Sequence, residues 1–91
     1  MTGEQLRAAR AMIRWEQKAL AEASGVSLAT VKRLEAMLGA LTANAPTVAA
    51  LRNCLEAAGV IFVASGEDKP GGPGVRLKAG WTSTPIGAEQ A

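Results

Sequence analysis

Over the first 58 residues the apolar positions recur at spacings of three and four, the period of helices buried along one face. Thr2-Gly-Glu-Gln5 has the form of a capping box, and Leu6, Ala9 and Ile13 follow on one face, which predicts a first helix. Arg7, Arg10 and Arg14 fall on its other faces, with Arg7 and Arg14 expected at the surface. A second, short helix is predicted over about Gln17–Ala23, with Leu20 and Ala21 inward, and Ser24-Gly25-Val26 interrupts it. Ser27 is a good N-cap for a third helix running to about Ala36 or Met37, with Val31, Leu34 and Leu38 on one face. Residues 39–44 read as a loop. Asn44 caps a fourth helix that tolerates Pro46 in its first turn, presents Val48, Leu51 and Leu55 as its apolar stripe and stops at Gly59.

The pattern changes after Gly59. Val60-Ile-Phe-Val63 is a β-branched and aromatic run, and Val75-Arg-Leu-Lys78 alternates apolar with basic, the period of a half-buried strand. Between them, Asp68-Lys-Pro-Gly-Gly-Pro-Gly74 excludes helix and predicts a flexible connection. The expected architecture is therefore mainly α: a four-helix domain over residues 1–58, a small C-terminal β-hairpin over 59–79, and a flexible tail over 80–91. Two such strands are only marginally stable in water. Val60, Ile61, Phe62, Val63, Val75 and Leu77 are accordingly expected to form a dimer interface, by hairpin pairing or by edge-to-edge strand addition. The alternative is a hairpin folded back on its own helices.

Composition removes most chemistry. The chain has no His and a single cysteine, Cys54, so the usual general base, the usual zinc ligand and any multi-Cys metal site are missing. Neither a metal nor a cofactor is expected. The acidic residues form no carboxylate pair on one face, and the Gly66–Gly74 stretch lacks the Lys-Ser/Thr and following helix of a phosphate loop. No enzyme is expected. Cys54, beside Leu51 and Leu55, reads as a half-buried small hydrophobe, and one thiol suits a reducing cytoplasm. No apolar run reaches the roughly 18 residues of a membrane helix. Ten Lys and Arg against eight Asp and Glu give a net charge of +2. All of that excess lies within residues 1–35, which hold six basic and four acidic side chains, a mild bias towards a polyanionic partner.

The segment Gln17–Glu35 carries the functional information. Two short helices must cross across a three-residue turn: Ala21 is small where they come closest, Gly25 can adopt the left-handed conformation, and Val26, Val31 and Leu34 hold the second helix at its angle. Ala29, Lys32, Arg33 and Ala36 are left as an outward stripe, small and basic, of the kind that suits the DNA major groove. The pattern Leu6-x3-Arg10, then Gln17-x2-Leu20-Ala21-x3-Gly25-Val26-Ser27-x2-Thr30-Val31-x2-Leu34-Glu35, resembles the phage-repressor-like (XRE-type, Cro-like) helix-turn-helix family over roughly residues 3–58.

That resemblance implies roles. Gln17 would bond a phosphate; Ser27, Leu28, Ala29, Thr30, Lys32 and Arg33 would occupy recognition-helix positions; Arg10 and Glu35 would form a partly buried ion pair. Arg33 reads as the base reader and Lys32 as a phosphate contact. Leu28 stands equally as a core staple or as a partner for a thymine methyl, and Trp15 is expected in the core. Three positions depart from the family pattern: Glu16 at a cap position, Ser24 in the turn, and Met37 where a glycine usually ends the recognition helix. The implied function is a sequence-specific, double-stranded DNA-binding transcriptional regulator, a cytoplasmic homodimer of bacterial or phage type on an inverted-repeat operator. Two rival readings share the fold, an antitoxin of a toxin–antitoxin pair and an antiactivator-type protein-interaction module, and both leave room for a protein partner.

Overall fold

Local hydrogen bonding decides where the first helix starts. In a computed structural model, which describes residues 1–82, the Thr2 hydroxyl accepts from the Gln5 amide at 3.0 Å while the Gln5 side chain accepts from the Thr2 amide at 2.9 Å. This reciprocal cap opens α1 (Gly3–Met12). Helix α2 (Gln17–Ser24) ends at Gly25, whose φ is +79°. Ser27 caps α3 (Leu28–Glu35), and Asn44 caps α4 (Ala45–Ala57) by accepting from the Thr47 amide at 2.9 Å. Strands β1 (Val60–Val63) and β2 (Gly74–Leu77) pair antiparallel, with Val60 opposite Leu77 and Val63 opposite Gly74. The fold is mainly α with a small C-terminal β-hairpin.

One core unites these elements. Leu6, Ala9 and Ile13 of the first helix meet Leu20, Ala21, Val31, Leu34, Leu51 and Leu55 from the other three, and Val60 and Phe62 from β1 join them. The inward hairpin face takes Val60 and Phe62 out of the predicted interface. Val60 keeps 1% and Phe62 8% of its surface, while Val75 and Leu77 are partly buried against the same core. Helix α4 lies along β1 and α1 along β2, so the chain covers these side chains itself. Only Ile61, opposite Arg76, is a large apolar side chain facing out. Gln5 locks the hairpin mouth: its buried amide donates to the Val63 carbonyl at 3.2 Å and to the Gly74 carbonyl at 2.9 Å.

Three further expectations are corrected. Leu38 does not share the buried face of Val31 and Leu34; α3 ends at Glu35 and Leu38 is 84% exposed. Residues 80–82 are not a frayed tail. The Trp81 indole lies against Gly59, its Nε1 donating to the Ala58 carbonyl at 2.9 Å, and a Cβ on Gly59 would come within 2.2 Å of the ring. The remainder of the predicted tail, from 83 on, lies outside the described residues. Trp81 and Trp15 line one cleft with Ile13, Ala58 and Thr82, and Trp15 packs against the core edge.

The third correction concerns Arg14, which lies not on a face of the first helix but in the turn between α1 and α2. The Trp15 amide donates to the Arg10 carbonyl and the Arg14 amide to the Ala11 carbonyl, both at 3.1 Å, the bonds of a Schellman motif. The residue that must then turn left-handed is Arg14, with φ +62°. A side chain there costs about 1 kcal/mol, because Cβ crowds the following carbonyl. Arg14→Gly is therefore expected to raise the urea midpoint at unchanged slope, by about 0.5–1 kcal/mol of stability. A lowered midpoint would show that the exposed Arg14 side chain contributes more than its backbone costs.

Candidate nucleic-acid interface

Three helices converge on one carboxylate. Glu35, the last residue of α3, retains only 3% of its surface. Arg10 on α1 grips it with two bonds, Nε to Oε2 at 2.7 Å and Nη2 to Oε1 at 3.1 Å. Gln17, the first residue of α2, donates its amide to Oε1 at 3.1 Å. Nη1 of Arg10 donates to the Trp15 carbonyl at 2.8 Å, reaching the turn between α1 and α2. A buried carboxylate needs this many donors, since desolvation of an unpaired charge costs several kcal/mol. The network fixes α3 against both earlier helices. It also revises Gln17: its side-chain amide is engaged with Glu35, inside the frame, and not held out for a phosphate.

The far face of α3 lies at the surface, with the Arg33 guanidinium donating to the Thr42 carbonyl at 3.5 Å. Ala29, Lys32, Arg33 and Ala36 are all exposed. Ser27 accepts from the Thr30 amide at 3.2 Å and donates to the Thr30 hydroxyl at 2.9 Å, so the helix start is held by two polar side chains at the surface. Leu28 is half-buried against the core, and it also floors a shallow groove of about 330 Å³ walled by Arg10, Glu16, Gln17, Lys18 and Lys32. Glu16, at the N-cap position of α2, makes no side-chain capping bond. The first-turn amides of α2 are thus left without a side-chain acceptor, beside Lys18 and Lys32. Amides and ammonium groups arranged in this way attract an anion, while the Glu16 carboxylate opposes it. Ser24, the second departure from the family pattern, has a local task, its hydroxyl accepting from the Val26 amide at 3.2 Å.

Two residues of the first helix, Arg7 and Glu4, hold the end of α3, a role the sequence reading did not give them. Arg7 is half-buried, not free at the surface; its guanidinium donates to the Glu35 carbonyl and, at 3.5 Å, to the Met37 carbonyl. A cation on the last carbonyls serves where a terminating glycine is missing. Its spacing of three from Arg10 puts both on one helix face, which was the available signal. Glu4 accepts from the Gly39 amide at 3.0 Å. Its own backbone amide, and then that of Gly39, hold its carboxyl below the usual carboxylate range. Gly3 completes the contact, because a Cβ there would stand 2.1 Å from the Met37 carbonyl oxygen.

Among the described residues no three His, Cys, Asp or Glu side chains gather where a metal would bind, and no helix is long and apolar enough to cross a membrane. Burial pushes the Cys54 thiol pKa up, away from the thiolate a nucleophile needs. No protein-family model matches the chain, and neither does any curated protein.

Arg10→Met should cost about 3 kcal/mol or more, because it leaves Glu35 charged and buried. Adding Glu35→Leu should return part of that loss, so thermal melting of the two single variants and the double variant should show strong non-additivity. Arg7→Met, which removes bonds to carbonyls and not to a buried charge, should cost less, about 1–2 kcal/mol. Additive losses for Arg10 and Glu35 would mean the frame does not depend on their meeting.

Proposed function

We propose that this protein is a sequence-specific double-stranded DNA-binding transcriptional regulator of the helix-turn-helix kind, with α3 as its recognition helix. One observation carries the reading: an exposed stripe of small and basic side chains, Ala29, Lys32, Arg33 and Ala36, on a helix whose other side is fixed by the buried Glu35 network. Small residues admit the helix close to base edges, and the cations meet phosphate or guanine. The groove at the start of α2 adds uncapped amides, Lys18 and Lys32, for a phosphate on the flank. In this reading the frame supplies orientation, electrostatics set position on the backbone, and Arg33 reads base edges. Occupancy of the operator then blocks or recruits polymerase. The protein works in the cytoplasm on the nucleoid, as a homodimer on an inverted repeat with recognition helices about 34 Å apart.

Titration of duplex DNA tests this. With about four to six basic contacts per dimer, log K should fall against log salt with a slope of about −4 to −5. Arg33→Ala should relax preference at particular base pairs by roughly 1–3 kcal/mol, whereas Lys32→Ala should weaken all sequences alike. A uniform loss for Arg33→Ala would remove it as the base reader. Flat salt dependence, or no retention of any duplex at low salt, would turn the assignment to a protein-interaction module.

A further inference from the structure

Met37, the third departure from the family pattern, has a task that a glycine could not perform. Its thioether sulfur accepts two hydrogen bonds from one residue, from the Thr42 amide at 3.4 Å and from the Thr42 hydroxyl at 3.3 Å. Thr42 is exposed, so no packing around its side chain settles its conformation. The sulfur fixes its amide and its χ1, while Ala43 packs against the core and Asn44 caps α4. Between these two anchors the Thr42 carbonyl has little freedom, and it accepts from Nη1 of Arg33 at 3.5 Å. Among the described residues Lys32, the other cation of the outward stripe, makes no such bond.

The nitrogen by which Arg33 is held decides what the rest of the group can do. Arg10 makes the same kind of tie inside the fold: its Nη1 donates to a backbone carbonyl, that of Trp15, while Nε and Nη2, side by side on the other edge, grip the two oxygens of Glu35. Arg33 is likewise tied by Nη1 to a backbone carbonyl, and its Nε–Nη2 edge has no partner among the described residues. Two acceptors side by side are what the O6 and N7 of a guanine present in the major groove. An untethered arginine must freeze several torsions to meet them, and a tethered one has fewer left to freeze. We infer that Met37 is a positioning residue for Arg33, holding the guanidinium through Thr42 with its Nε–Nη2 edge left open for a guanine, a role that rests on the DNA reading above. Lys32, with no such tie, is a point charge that meets a phosphate from many directions.

Selection from a fully randomised duplex pool, read by sequencing the fragments that the full chain retains, tests this. The wild type should enrich guanine at one position of its site, and Arg33→Ala should lose that position alone. Met37→Leu keeps the volume and removes the acceptor. It should cut the guanine preference at the same position about two- to tenfold, the range for one arginine that must now be ordered on binding. Other positions, and the slope of log K against log salt, should stay as in the wild type, because no charge has changed. Thr42→Val, an exposed change that removes only the hydroxyl bond, should act in the same direction by less. In an Arg33→Ala background Met37→Leu should change nothing at that position. A guanine preference that both variants keep in full, a loss that both spread over every position, or an effect that persists without Arg33 would each overturn the assignment. A wild type that enriches no sequence fails the DNA reading itself, and the role of Met37 with it, before any variant is compared.

Discussion

Glu35 is a carboxylate with almost no contact with water, and the arrangement of the helices follows from the donors it requires. Arg10 must come from α1, Gln17 must open α2, and the last turn of α3 must lie where both can reach it. Hydrophobic burial alone would allow α3 to roll or slide by fractions of a turn, since leucine contacts are non-directional. Hydrogen bonds to one buried charge do not permit this. The exposed stripe on the opposite side inherits its orientation from that constraint.

A second constraint acts at the other end of α1. The N-terminus of α1 presses on the C-terminus of α3 so closely that only glycine fits at position 3. Opposite partial charges of two helix ends meet there, reinforced by Arg7 and Glu4. Helix α1 therefore touches α3 at two places and through two chemistries, a buried ion pair at Glu35 and backbone contacts at Met37 and Gly39. The loop that follows keeps its shape for the same reason.

Much of this was legible in the residues. The capping box at Thr2–Gln5, the caps at Ser27 and Asn44, and the apolar periodicity of all four helices are local signals, so they survive folding unchanged. Non-local relations were harder to read. The β-branched and aromatic run Val60–Val63 predicts a strand, but not that α4 supplies the cover for Val60 and Phe62. Leu38 sits at the right spacing from Val31 and Leu34 to be core, yet the helix stops at Glu35, whose carbonyl accepts from Arg7, distant in sequence. The left-handed turn at Arg14 carries no glycine to announce it. Gln17 matched a motif by position, and only the reach of Glu35 decides which way its amide points.

The chain has no tyrosine, and both of its tryptophans, Trp15 and Trp81, line a single cleft with Ile13 and Ala58. All of its intrinsic near-ultraviolet emission thus originates at one end of the fold, where the carbonyl of Trp15 is bound to Arg10 and the indole of Trp81 to the end of α4. A fluorescence melting curve of this protein is a record of that corner. It reports directly on the arginine that holds Glu35 and is blind to fraying of the hairpin loop, so circular dichroism and fluorescence should diverge wherever the two ends of the molecule loosen separately.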